Sequence, residues 1–125
     1  MKYLLILCFI YLTFAQEYPI TPYRSYGNMV YSSGQIGVLN GTLLPTFALQ
    51  TKQALINLGS VLRSAGTNYD KVLKTTVYLS DMKYVLEMNE IYKQFFKKPY
   101  PARSAFAVKE LPRKCFIEIE CIAHK

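Results

Sequence analysis

Arg103, Glu118 and Tyr23 are three side chains of this sequence that could do chemistry, each of a different kind. Arg103 stands behind a rigid Pro101-Ala102 step at the start of an expected strand. Its planar guanidinium can hold a carboxylate through two parallel hydrogen bonds. Taken alone, it reads more plainly as a surface arginine paired with a glutamate. Glu118 falls in the last expected strand, on a face shared with Phe116, Glu120 and Ile122. A carboxylate there can hold and polarise a water, as general base or orienter. It can equally be a solvated glutamate or a salt-bridge partner across a subunit interface, and Glu120 is its structural understudy. Tyr23 follows Pro22 and can line a pocket or simply pack.

The inventory excludes several other chemistries. Histidine occurs once, at His124, so one chain can assemble neither a Ser-His-Asp triad nor a multi-histidine metal site. No GxGxxG or GxxxxGK[ST] run is present to cradle a dinucleotide or a nucleotide phosphate. What remains is cofactor-free chemistry or plain binding. The net charge of +7 is scattered rather than gathered in a block. Such a surface attracts anions but argues poorly for nucleic-acid recognition.

The chain has 125 residues, enough for one domain and its core. Two prolines and the Gly27-Asn28 turn precede Met29–Ser33 and Gly34–Val38, which read as short strands joined by tight turns. Thr46 can cap a helix whose apolar positions Leu55, Leu58, Leu62 and Ala65 recur at spacings of three and four, with Gly66 as its stop. In the strand Val72–Leu79, strict alternation puts Leu73, Thr75, Val77 and Leu79 on one face. Asp81 is expected to cap a second helix with Val85, Met88, Tyr92 and Phe95 on one side, ended by Lys97-Lys98-Pro99. Strands at Arg103–Val108 and Cys115–Ala123 follow, joined by a turn at Leu111–Lys114. The order predicts an α+β sandwich with two helices on one side of a mixed sheet, the other side needing cover from elsewhere. The mixed Phe116/Glu118/Glu120/Ile122 face suits a subunit interface.

Five blocks in this order carry a family likeness: Ser33-Gly34-Gln35-Ile36-Gly37, Lys74-Thr75-Thr76-Val77, Asn89 to Phe96, Pro101-Ala102-Arg103-Ser104 and Ile117-Glu118-Ile119-Glu120. Across residues 18–124 the chain resembles the Rid/YjgF family. The resemblance implies a chorismate-mutase-like fold, a homotrimer with sites in the clefts between subunits, and no cofactor. It implies hydrolysis of 2-imino acids such as 2-iminobutanoate and 2-iminopropanoate to 2-keto acids and ammonia. Arg103 would bind the carboxylate and Glu118 would position the attacking water. Tyr23 would close the pocket, with Ser33, Asn89 and the backbone N–H of Ala105 as further binding groups. The chain departs from the family pattern at Thr21, at Arg24-Ser25 and in a short segment after Gly37, all bordering the expected pocket mouth.

The N-terminus adds an expectation of its own. Met1-Lys2, an apolar run from Tyr3 to Phe14 and the small residue Ala15 have the layout of a secretory signal peptide. The run is too short for a bilayer span of roughly 20 residues. The sequence therefore predicts a signal at residues 1–15, a deaminase-like domain at 16–125, secretion, and no membrane anchor. Cys8 would leave with the signal. Cys115 and Cys121, six positions apart in one expected strand, lie about 20 Å from each other, beyond disulfide reach. Asn40-Gly41-Thr42 is a glycosylation sequon as well as a turn signal. Two other classes compete with the enzyme: a secreted trimeric protein that binds a small carboxylate without turnover, and a ribonuclease or translation inhibitor. The second lacks the histidines and the aromatic-basic platform that RNA chemistry calls for.

Overall fold

The computed structural model describes residues 18–125, and the expected signal peptide lies outside the described residues. Ten principal elements follow one another: β1 (Tyr23–Tyr26), β2 (Met29–Ser32), β3 (Gln35–Ile36), β4 (Val38–Leu39), β5 (Thr42–Leu43), α1 (Phe47–Ser64), β6 (Val72–Leu79), α2 (Val85–Tyr92), β7 (Ala102–Ala107) and β8 (Ile117–His124). Strands run in the order β1-β2-β8-β6-β7, with β3 also pairing with β8, and β4-β5 forms a separate hairpin. Among the described residues only β6 and β7 pair in parallel. Parallel neighbours need a crossover, and α2 supplies it. The result is the expected α+β sandwich on a mixed sheet. Among the described residues no helix is long and apolar enough to cross a membrane.

The long helix forms where its spacing places it. Thr46 Oγ1 accepts the Leu49 N–H at 3.3 Å, one of the donors a helix N-terminus leaves open. At the other end Gly66 takes φ +80°, and the N–H groups of Gly66 and Thr67 return to the carbonyls of Arg63 and Leu62. That pattern satisfies the last carbonyls through a left-handed residue that glycine adopts without strain. Leu55, Leu58, Leu62 and Ala65 are buried against Ile117, Ile119, Cys121 and Ala123 of β8. Cys115 and Cys121 are buried free thiols, and Cys115 lies just outside the strand.

Three expectations need correction. A register irregularity between Val72 and Lys74 breaks the alternation of β6, so Val72 is buried and Leu73 is 49% exposed. Asp81 caps a single 3₁₀ turn, Met82–Tyr84, by accepting the Lys83 N–H at 2.8 Å, and α2 starts only after it. The second helix ends at Tyr92, and in the turn that follows Phe96 reaches the core while Phe95 packs at its margin.

Asn40 and Gly41 form the tip of the β4-β5 hairpin with φ of 50° and 77°. Successive positive φ values suit a two-residue hairpin turn, and Asn-Gly adopts them readily. Asn40 is exposed there.

Candidate functional site

Register decides where the candidate side chains point. Arg103 pairs with Thr75, whose hydroxyl meets the Tyr92 hydroxyl of α2 at 2.8 Å, so Arg103 belongs to the helix-covered face. Glu118 pairs with Tyr78, whose hydroxyl donates to Glu120 at 2.8 Å on the open face. Within one chain the two residues therefore lie on opposite faces of the sheet, two strands apart, which is about 10 Å of backbone spacing.

Each occupies its own cleft. The first, about 380 Å³, is lined by Asn89, Tyr92, Lys93, Tyr100, Pro101 and Arg103. The Arg103 guanidinium lies 4.9 Å from the centre of the Tyr92 ring and donates toward Met88 Sδ at 3.7 Å. An aromatic face and a thioether orient a cation without neutralising it. Among the described residues Arg103 has no carboxylate partner, the single ion pair being the exposed Lys93–Glu90 pair. Asn89 Oδ1 is buried and accepts no hydrogen bond there. Such an acceptor is costly to leave unmade, and Asn89 is among the residues that line the Arg103 cleft.

Ala105 contributes its backbone. The Val108 N–H donates to Leu79 on β6, and strand groups alternate in direction, so the Ala105 N–H points away from β6. Because β7 is an edge strand, that donor is open. It lies two residues beyond Arg103 on the same face, which offers a carboxylate a guanidinium and an amide together.

The second cleft, about 300 Å³, shares no lining residue with the first. Tyr78 and three carboxylates, Glu110, Glu118 and Glu120, help to line it. Burial pushes the Glu118 carboxyl above the usual carboxylate range, and the neighbouring Glu120 charge adds to the shift. Both causes disfavour its ionised form. Gly34 lies against this carboxylate so closely that a Cβ at residue 34 would stand 2.0 Å from Glu118 Oε1. The neighbouring Ser33 is tied down instead, its hydroxyl donating to the Thr21 carbonyl.

Tyr23 lies on β1, at the far edge of the sheet from Arg103, four strand spacings or about 19 Å away. Its hydroxyl donates to the Ser64 carbonyl at the end of α1, at 3.1 Å. The structure thus brings Arg103 and Asn89 to one cleft with the Ala105 amide two residues further along the β7 edge, sets Glu118 beside Gly34 in a second group, and leaves Tyr23 apart from Arg103 within the chain. Lys93, Tyr100 and Glu110 were not singled out from the sequence. The four-residue step from Asn89 to Lys93 is the one signal that marks Lys93 as a neighbour on α2. Among the described residues no three His, Cys, Asp or Glu side chains converge on a possible metal position.

The chain is an α+β sandwich with an arginine that lacks a carboxylate partner on one edge of the sheet and a group of carboxylates on the uncovered face. The chain belongs to the Rid/YjgF family: a family model described as endoribonuclease L-PSP matches residues 14–125. It is 46% identical over 97 residues to mouse 2-iminobutanoate/2-iminopropanoate deaminase, spanning 75% of this chain and 72% of the relative. It is 42% identical over 99 residues to a mitochondrial protein, mmf1, of Schizosaccharomyces pombe, spanning 76% of this chain and 61% of that one. The fold is similar to Escherichia coli TdcF with bound serine, at TM-score 0.82 and 32% identity, over 87% of this chain and 90% of that one.

Proposed function

We propose that this chain hydrolyses 2-imino acids to 2-keto acids and ammonia without a cofactor, in sites that form between subunits of a homotrimer. The observation that carries the reading is Arg103, a cation with no partner carboxylate among the described residues, in a cleft that Asn89 also lines and two residues from the open Ala105 amide on β7. A 2-imino acid offers what that group lacks: a carboxylate for the guanidinium and the amide, and an N–H for the Asn89 carbonyl. The 46% identity to a relative named for imine deamination supports the same substrate class.

The reaction needs a base near the imine carbon, and Glu118 is that base in this reading. Its carboxylate takes a proton from water while the water oxygen bonds to the imine carbon. Glu118 returns that proton to the nitrogen to give a neutral carbinolamine, which collapses as its hydroxyl proton passes to the nitrogen, C=O forms, the C–N bond breaks and ammonia leaves. A carboxyl raised above its ordinary range is a better base near neutrality than a free glutamate. Because Arg103 and Glu118 occupy opposite faces, a second copy must bring its acidic cleft to the cationic edge of the first. The charges favour that meeting: Arg103 and Lys93 line one cleft, and Glu110, Glu118 and Glu120 the other. A head-to-tail contact of this kind closes into a ring when its rotation allows. Tyr23 and Ser33, on the β1-β2 side, would reach the substrate only in such a ring.

The same chemistry is open to the chain in any compartment that supplies the imines. If the N-terminal run directs the chain to the secretory route, the exposed Asn40 is the residue that would take a glycan.

The test is keto-acid release from imines generated by a serine or threonine dehydratase, with semicarbazide competing for the imine. Arg103→Ala is expected to lower kcat/KM by about 100-fold, as the loss of a charged bidentate contact implies. Equal rates in wild type and variant would sink the proposal. Tight keto-acid binding without turnover would replace it with a binding protein.

A further inference from the structure

We propose that Lys93 and Tyr100 form a second anion subsite in the Arg103 cleft, which makes 2-imino dicarboxylates, the imines of acidic amino acids, a favoured substrate class. This rests on the proposed imine hydrolysis at the same cleft.

Two cations line one cavity. Arg103 enters from the β7 edge, and Lys93 from the C-cap of α2, one turn beyond Asn89. Asn89, whose Oδ1 is unpartnered, lines the same cleft. An α-carboxylate on Arg103 with its imine N–H toward Asn89 directs the rest of the ligand along the helix toward Lys93. The cleft, at about 380 Å³, would hold about a dozen waters at ~30 Å³ each, so there is room beyond a four-carbon imino acid. A second carboxylate fills that room and meets an ammonium.

Lys93 is available for the exchange. Its one ionic partner, Glu90, is 2.9 Å away, with side-chain exposures of 54% for Lys93 and 72% for Glu90. Pairs so exposed hold weakly, and a carboxylate entering a cleft that also holds Arg103 competes well against one facing solvent. Glu90 also keeps the Lys93 ammonium above the usual lysine range, so the charge is present throughout the neutral range. Tyr100 lines the same cleft and offers it a hydroxyl donor. Lys97 and Lys98 line a different cavity with Tyr69 and Asp70. The argument thus concerns a placed cation, not the general positive charge of the chain.

The experiment measures both binding and turnover on the full chain. Calorimetry compares 2-oxoglutarate with 2-oxobutanoate as stable product ligands. kcat/KM compares the imines an amino-acid oxidase makes from glutamate and from 2-aminobutyrate. The wild type is expected to favour the dicarboxylate by about tenfold, and Lys93→Glu to erase that ratio. Lys97→Glu, the same charge change outside the cleft, is expected to move it less than about twofold, since exposed charges at a distance are screened. A wild-type ratio near one, or an equal loss in both variants, overturns the subsite. A binding preference that depends on Lys93, in a protein that turns over neither imine, supports the subsite and removes the hydrolysis beneath it.

Discussion

The two faces of the sheet are built to different rules. Under the helices, Val30, Thr75, Val77, Leu79, Ile117, Ile119, Cys121 and Ala123 are all buried, and the one polar group among them, the Thr75 hydroxyl, is bonded to Tyr92. On the open face, Tyr31 and Phe106 stay 46% and 44% exposed beside Lys74, Glu118 and Glu120. The covered face is complete within one chain, whereas the open face mixes aromatic rings with charges that have few partners. The comparison teaches that the two candidate groups, Arg103 and Glu118, are divided between a face that is covered within the chain and one that is not. Arg103 is held by the helical layer and Glu118 lies on the open face.

The largest effect that would break or sharpen this contrast comes from mixing subunits. Arg103→Ala and Glu118→Gln are each expected to be nearly inactive alone. If every site takes its arginine from one copy and its glutamate from the next, random mixed rings recover about one site in four. Co-refolding the two variants and assaying imine hydrolysis reads this directly, and no recovery would place both residues in one chain's site.

A core truncation comes next. Leu58→Ala on the covered face is expected to cost about 3 kcal/mol, since Leu58 is fully buried and the surrounding core collapses only in part. Denaturant titration measures it, and a cost under about 1 kcal/mol would mean the helical layer is looser than its packing implies.

The smallest expected effect is a pH shift. A raised carboxyl stays protonated to higher pH and cannot act as a base until ionised, so the acid limb of kcat/KM should rise above the ordinary glutamate range. Glu120→Gln removes the lesser of the two causes and should move the limb modestly to lower pH. A limb that stays in place would mean that Glu118 is not the titrating base.

Much of the fold was legible because its signals are local. Thr46, the three-and-four spacing of Leu55, Leu58 and Leu62, and Gly66 mark α1 from cap to stop, and alternation over Ile117–Ala123 marks β8. The irregularity at Val72/Lys74 was not legible, since nothing in the residue types distinguishes it from the regular alternation that would have buried Leu73. The extra 3₁₀ turn after Asp81 was hidden for a similar reason, because an aspartate caps a turn or a helix by the same hydrogen bond. Arg103 and Glu118 could be named as reactive types, but their placement on opposite faces follows from the pairing of Arg103 with Thr75 and of Glu118 with Tyr78. Such pairing between distant strands leaves no mark in either strand's own sequence. Lys93 was overlooked because a helical lysine is ordinarily a solvated one.

The packing of Gly34 against Glu118 has a consequence for how this protein can change over generations. A methyl group at position 34 would press on the far end of a flexible carboxylate rather than on backbone. The chain could therefore swing Glu118 aside and keep its fold. One codon thus separates this chain from a folded descendant whose Glu118 carboxylate is displaced and whose Arg103 cleft is untouched, and a duplicated gene could reach that state in a single step.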